Sequence, residues 1–104
     1  MKPLQVLLIE DNPGDAELTR QSLAASKLQI SLTVLDDGEK ALQYLKKAPP
    51  YQKAERPDLL LLDLNLPKLT GSEVLREIKT DKHLKSLPVI VLTSSEEEME
   101  ISRC

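Results

Sequence analysis

The sequence predicts an α/β fold in which helices cover both faces of a parallel β-sheet. Short apolar runs recur along the chain, stretches of helical period separate them, and capping residues stand where the helices should begin. We expect strands at about residues 4–9, 29–35, 58–63 and 88–93.

The first helix is predicted over 14–26, because Asn12-Pro13 offers a capping side chain and then a proline at the first helical position. Its inward face is expected to contain Leu18, Ser22, Leu23 and Ala25. The second helix should begin after the capping residue Asp37 and stop at Pro49-Pro50. Its expected inward face is Ala41, Leu42, Leu45 and Ala48.

Two further helices are predicted from the spacing of capping boxes. Thr70 and Glu73 have this spacing ahead of a third helix. The residues of that helix expected to face the sheet are Val74, Leu75 and Ile78. Ser95 and Glu98 repeat the spacing, which predicts the start of a fourth helix.

Composition narrows the classes of function. The chain has 104 residues, a net charge of -3, two Tyr, no Phe and no Trp, so it lacks the basic surface and aromatic platforms typical of nucleic-acid binding. The single cysteine, Cys104, allows no internal disulfide and favours a reducing compartment. No apolar run is long enough for a membrane span, and the N-terminus does not resemble a secretory signal, so we expect a cytoplasmic protein.

Acidic residues follow two of the predicted strands. Glu10-Asp11 ends the first apolar run and Asp63 ends the third. If both runs are parallel strands of one sheet, three carboxylates converge at the edge where open α/β sheets bind ligands. Carboxylates at close range need a counter-cation, and hard oxygen donors suit Mg²⁺. The sequence therefore predicts a magnesium site, with the backbone carbonyl of Asn65 as a further ligand.

Such a site could support phosphoryl chemistry. Asp63 could attack phosphorus as a carboxylate nucleophile, with the metal offsetting charge on the phosphoryl group. Thr93 and Ser94 close the fourth predicted strand, and their hydroxyls could donate to a phosphoryl oxygen.

Each of these residues also has a purely structural interpretation. Glu10-Asp11 could form a turn and helix cap, Asp63 could accept backbone hydrogen bonds, and Thr93 and Ser94 could cap a helix. Asp36-Asp37-Gly38 is interpreted as a helix cap rather than a second acidic site, and His83 as a surface residue.

Taken together, these motifs resemble a known family. The set consists of Glu10-Asp11, Asp63 with Asn65 and Pro67, Gly71 eight residues after Asp63, and Pro88 to Thr93. In this order and spacing it resembles the receiver domain of two-component response regulators. The segment Leu60 to Lys79, with the long loop before Pro57, looks most like the regulators paired with phytochrome histidine kinases. The resemblance runs from residue 3 to the end of the chain.

The resemblance implies a flavodoxin-like, doubly wound sheet of order 2-1-3-4-5. It implies that Asp63 accepts a phosphoryl group from the phosphohistidine of a sensor histidine kinase, in a signalling switch rather than a metabolic enzyme. In the family, the acid matching Asp11 ligates Mg²⁺ directly, and the acid matching Glu10 acts largely through water. Thr93 matches the switch hydroxyl.

The sequence departs from the family after the fourth strand. The family's fifth strand, with its lysine and aromatic switch residue, and its fifth helix have no counterpart in residues 1–104, and no lysine follows Lys85. We therefore expect a receiver domain over 1–104 that is incomplete at its C-terminus, with strand order 2-1-3-4. We also expect either self-association through the fourth strand or by exchange of elements, or that these residues are a fragment of a longer regulator.

Two other functions are compatible with parts of the pattern. The serious alternative is a degenerate receiver that acts only as an interaction or dimerisation module. A haloacid-dehalogenase-type phosphatase is disfavoured, because Asn65 stands where that family has a second acid and Asp63 lies on the third strand rather than the first.

Overall fold

The computed structural model describes residues 3–63, 66 and 69–92, which form four strands and three helices. In chain order these are β1 (Leu4–Ile9), α1 (Pro13–Ala24), β2 (Ile30–Leu35), α2 (Gly38–Leu45), β3 (Leu59–Asp63), α3 (Gly71–Thr80) and β4 (Val89–Leu92). All four predicted strands are confirmed to within one residue at either end. Among the described residues, no helix is long and apolar enough to cross a membrane.

The four strands form one parallel sheet in the order β2-β1-β3-β4. The first strand lies inside the sheet: all six of its residues pair with β2, and Val6 to Ile9, which are buried, also pair with β3. The predicted order 2-1-3-4 of a doubly wound, flavodoxin-like sheet is confirmed. This order places the carboxyl ends of β1 and β3 side by side.

Successive side chains along β1 and β3 point to opposite faces of the sheet, so each face has its own apolar core. Leu7, Ile9, Leu60 and Leu62 pack with the buried residues of α2 and α3 on one face. Val6, Leu8 and Leu61 pack on the other face, against Ala16 and Leu23 of α1. The continuous apolar runs of the sequence are thus explained by burial on both faces.

The first helix begins one residue earlier and ends two residues earlier than predicted. Asn12 caps it as expected, accepting a 3.0 Å hydrogen bond from the backbone of Asp15, with Pro13 at the first helical position. The predicted inward face was wrong. Leu18 is 62% exposed, and Ser22 and Ala25 are exposed as well; of the predicted residues only Leu23 packs against the core.

The face of α1 that meets the sheet carries Ala16 and Leu23, seven residues apart and therefore on the same side of a helix. Leu18 lies two residues after Ala16, on roughly the opposite side. The error arose because α1 buries no residue completely, so the positions of its apolar residues carry little information about orientation.

The second helix is capped by Asp37 as predicted, but it ends at Leu45, before the two prolines. Ala41 and Leu45 are buried, Leu42 packs against the core, and Ala48 lies beyond the helix. The end is a Schellman motif: the backbone N–H of Ala48 donates to the carbonyl of Gln43 at 2.9 Å, and that of Lys47 donates to Tyr44 at 3.2 Å.

The capping box at the start of α3 is confirmed. Thr70 accepts a hydrogen bond from the backbone of Glu73 at 3.2 Å, and the Glu73 carboxylate accepts one from the backbone of Thr70 at 2.9 Å. Val74 and Ile78 are buried and Leu75 packs beside them, as predicted. The fourth helix expected from Ser95 lies outside the described residues.

The Schellman motif that ends α2 can be tested at Lys47, because this residue adopts the left-handed conformation with a φ of 57°. A side chain costs about 1 kcal/mol in this conformation, and glycine avoids that cost. We predict that Lys47→Gly has a free energy of unfolding about 1 kcal/mol above that of Lys47→Ala, measured by urea denaturation. Both variants lose the same side chain, so equal stabilities would contradict this account.

A candidate metal site at the carboxyl end of the sheet

The parallel register of β1 and β3 brings two acidic residues to one place. Ile9 pairs with Leu62, so Glu10 and Asp63 are the next residues along the two neighbouring strands. Leu8 and Leu61 lie on the α1 side of the sheet. Because side chains alternate with a period of two, Glu10 and Asp63 emerge on that same side.

The carboxylates of Glu10, Asp11 and Asp63 each offer an oxygen atom, and these three atoms lie within 4.8 Å of one another. Glu10 is 6% exposed and Asp63 is 3% exposed, whereas Asp11 is exposed. The predicted convergence is therefore present in the structure. Two of the carboxylates are buried, and Asp11 lies at the solvent side of the cluster.

The turn between β1 and α1 fixes the position of Glu10. Its backbone N–H donates to the carbonyl of Leu35 at 2.9 Å, which ties it to the end of β2. Its carboxylate accepts a 3.2 Å hydrogen bond from the backbone N–H of Asn12. Asn12 thus caps α1 with its side chain and holds Glu10 with its backbone, a second role that the sequence did not indicate.

Burial raises the pKa of Glu10 from 4.5 to about 7. The Asn12 N–H opposes the shift, whereas the hydrogen bond and the charge of Asp63 and the charge of Asp15 add to it. The site therefore disfavours a negative charge on Glu10. A bound cation would reverse that preference.

The donor set fits a hard divalent cation. Three carboxylates supply the oxygen ligands that Mg²⁺ prefers, and the exposure of Asp11 leaves room for water or an anionic ligand. Glu10, Asp11 and Asp63 are the residues that would hold the ion.

Three other residues were predicted to belong to the site. Asn65, Thr93 and Ser94 lie outside the described residues. Asp36-Asp37 has the structural role that was predicted: Asp37 accepts the Lys40 N–H at 2.7 Å, and Asp36 pairs with the Lys40 ammonium at 2.8 Å. His83 is exposed, as expected.

Comparison with known proteins identifies the family. Residues 6–104 match the sequence profile of the response regulator receiver domain. This chain belongs to the response regulator receiver family. The resemblance inferred from the acidic residues and their spacing is thereby confirmed, and the carboxylate cluster lies where that resemblance places the receiver domain's metal site.

Among curated relatives of this receiver domain is the response regulator Rcp1 of Synechocystis sp., 43% identical over 99 residues, which are 95% of this chain and 67% of Rcp1. The probable methanogenesis regulatory protein FilR2 of Methanothrix harundinacea is 37% identical over 97% of this chain and 64% of its own length. The chain thus spans about two thirds of the length of these relatives.

Among solved structures, the phosphorylated cyanobacterial phytochrome response regulator RcpA is 45% identical over 91% of this chain and 68% of its own, with a TM-score of 0.86. The Mn²⁺-bound form of Rcp1 is also 45% identical and has a TM-score of 0.87 over 92% of this chain and 69% of its own. The predicted likeness of this receiver domain to phytochrome-associated regulators is confirmed.

The raised pKa of Glu10 predicts a pH dependence of stability in the metal-free protein. A carboxyl group whose pKa is higher in the folded state favours the folded state only while it is protonated. The free energy of unfolding should therefore fall as the pH rises from about 4.5 to about 7. The pKa difference corresponds to about 3 kcal/mol.

This dependence can be measured by urea denaturation in a chelator at pH 5 and pH 8. Glu10→Gln is the matched variant, because it keeps the shape of the side chain without its charge. Its stability relative to wild type should increase with pH. Parallel pH profiles for the two proteins would contradict the assignment to Glu10.

Proposed function

We propose that this receiver domain accepts a phosphoryl group on Asp63 from the phosphohistidine of a sensor histidine kinase, with Mg²⁺ bound by the acidic cluster. The observation that carries the proposal is the convergence of Glu10, Asp11 and Asp63 within 4.8 Å at the carboxyl end of a receiver-type sheet. Membership of the receiver family supports it.

The reaction proposed is a transfer between two nucleophiles. A carboxylate oxygen of Asp63 attacks phosphorus, the phosphorus–nitrogen bond of the phosphohistidine breaks, and the imidazole takes up a proton as it leaves. The product is an acyl phosphate on Asp63. Because Asp63 is buried, water would have limited access to the product.

Around Asp63 the proposal assigns roles to five other residues. Asp11 and Glu10 bind the cation, Glu10 largely through water, and the backbone carbonyl of Asn65 is a further ligand. When bound, Mg²⁺ would offset negative charge on the phosphoryl group. The hydroxyls of Thr93 and Ser94 would donate to phosphoryl oxygens, with Thr93 as the switch residue.

The proposed role is that of a signalling switch in the cytoplasm, with at most weak self-phosphorylation and dephosphorylation, and not of a metabolic enzyme. The kinase partner is proposed to be a phytochrome, because similar structures include a phytochrome response regulator that has been solved in its phosphorylated form. The existence of an Mn²⁺-bound form of Rcp1 supports the assignment of a divalent cation.

Self-association through the fourth strand stays a prediction. Among the described residues β4 pairs with β3 only, and Ile90 on β4 is 49% exposed. A surface of this kind suits pairing with a second copy. Sedimentation at increasing concentration tests it, and a monomer at all concentrations would contradict it.

The proposed phosphorylation can be tested with acetyl phosphate as donor. We predict that the wild-type chain gains the mass of one phosphoryl group in the presence of Mg²⁺, measured by intact-protein mass spectrometry. The gain should be lost in a chelator and in Asp63→Asn, which keeps the shape of the side chain but lacks the nucleophile.

Asp58→Asn serves as the matched control, because Asp58 is an exposed aspartate that binds the backbone of Gln5 at the start of β1, at the opposite end of the sheet. It should be phosphorylated like wild type. A wild-type chain that stays unmodified with acetyl phosphate and with a phosphorylated histidine kinase would contradict the proposal and favour the interaction module.

A further inference from the structure

Gly38, the first residue of α2, is buried where two connections meet at the carboxyl end of the sheet. A methyl group built on its Cα would overlap the carbonyl oxygen of Leu69 and lie 2.8 Å from Cγ2 of Val74. The φ of Gly38 is not positive, so its backbone conformation is open to any residue. Glycine is therefore required at this position for space rather than for conformation.

The groups that surround Gly38 have little freedom to yield. The closest is a backbone carbonyl, which moves only with its chain, and Val74 is a 0% exposed side chain in the core. The start of α2 is itself held by the 2.7 Å hydrogen bond from the Lys40 N–H to Asp37. A larger residue at Gly38 would therefore displace backbone on one side of the contact.

One of the segments that could be displaced, the start of α2, borders the acidic site. Asp36 lines a cavity of about 310 Å³ together with Glu10 and Asp11. The residue before Asp36, Leu35, accepts the backbone hydrogen bond of Glu10. Displacement of the start of α2 would thus reach a segment that positions Glu10.

We propose that Gly38 is a positioning residue for the acidic site: its missing side chain lets the start of α2 pack closely against Leu69 and Val74, and so keeps Glu10 in place to share one cation with Asp11 and Asp63. The proposal rests on the proposed function, in that Mg²⁺ is the ligand. Gly38 itself touches neither the cation nor the phosphoryl group.

The test is the affinity of the 104-residue chain for Mg²⁺, measured by isothermal titration calorimetry and by the rise in melting temperature with added Mg²⁺. We expect Gly38→Ala to bind Mg²⁺ about tenfold more weakly than wild type, the size of effect typical of residues that orient metal ligands. Its melting temperature without metal should also be lower.

Leu45→Ala separates positioning from general destabilisation. Leu45 is buried on the same helix, but at the end of α2 that lies away from the acidic site. This variant should melt at a lower temperature and still bind Mg²⁺ within about twofold of wild type, because distant sites act independently. A purely structural role of Gly38 would give both variants the same Mg²⁺ affinity.

A second variant keeps the test usable if Gly38→Ala is too unstable. Gly38→Ala combined with Val74→Ala frees the space beside the Val74 side chain and leaves the contact with the Leu69 carbonyl. All variants can be titrated with Mg²⁺ in the presence of sucrose, which stabilises the folded state. We expect the double variant to bind Mg²⁺ weakly, and Val74→Ala alone to bind it like wild type.

The outcomes distinguish this proposal from the proposed function. If wild type binds Mg²⁺ and Asp63→Asn does not, but Gly38→Ala and the double variant bind it like wild type, the positioning role is wrong and the proposed function stands. If wild type does not bind Mg²⁺ at all, both are wrong.

Discussion

The parallel pairing of β1 with β3 is the constraint on which the site depends. A register with Ile9 opposite Leu62 makes Glu10 and Asp63 neighbours, and the strict alternation of side chains sends both to the α1 side of the sheet. A shift of one residue would turn one of the two carboxylates toward the other face. The apolar residues on both faces prevent this shift, because it would exchange the two cores. Core packing therefore fixes the chemistry at the strand ends.

Much of the fold could be predicted because its strands are buried on both faces and its helices carry strong caps. The apolar runs located all four strands, and Asn12, Asp37 and Thr70 each cap the helix they were expected to cap. The orientation of α1 could not be predicted, since it packs through Ala16 and Leu23 without burying a residue completely. The end of α2 was not predicted correctly. A residue in the left-handed conformation ends this helix, and in a sequence such a helix end is usually recognised by a glycine, whereas the residue here is Lys47.

The acidic site was predictable in its members but not in its energetics. Glu10, Asp11 and Asp63 are recognisable from their places after apolar runs, and the structure brings them together. The raised pKa of Glu10 depends on burial first, then on Asp63, and least on Asp15, whose position follows from the turn at Asn12. Gly38 was recognised only as the neighbour of a cap. Its contact with Leu69 links residues 31 positions apart and has no local signal in the sequence.

The raised pKa of Glu10 and the close packing at Gly38 bear on one property, the rigidity of the segments that hold the carboxylates. Repelling groups on soft segments would move apart, and the pKa of Glu10 would return toward its ordinary value. Here the cores under β1 and β3 oppose that movement, and the proposed role of Gly38 would add to this resistance. A proton on Glu10 or a bound cation would relieve the repulsion between Glu10 and Asp63, which adds to the effect of burial on the pKa of Glu10. A cation bound at this cluster would favour the ionised form of Glu10, so proton binding and cation binding would compete at this site.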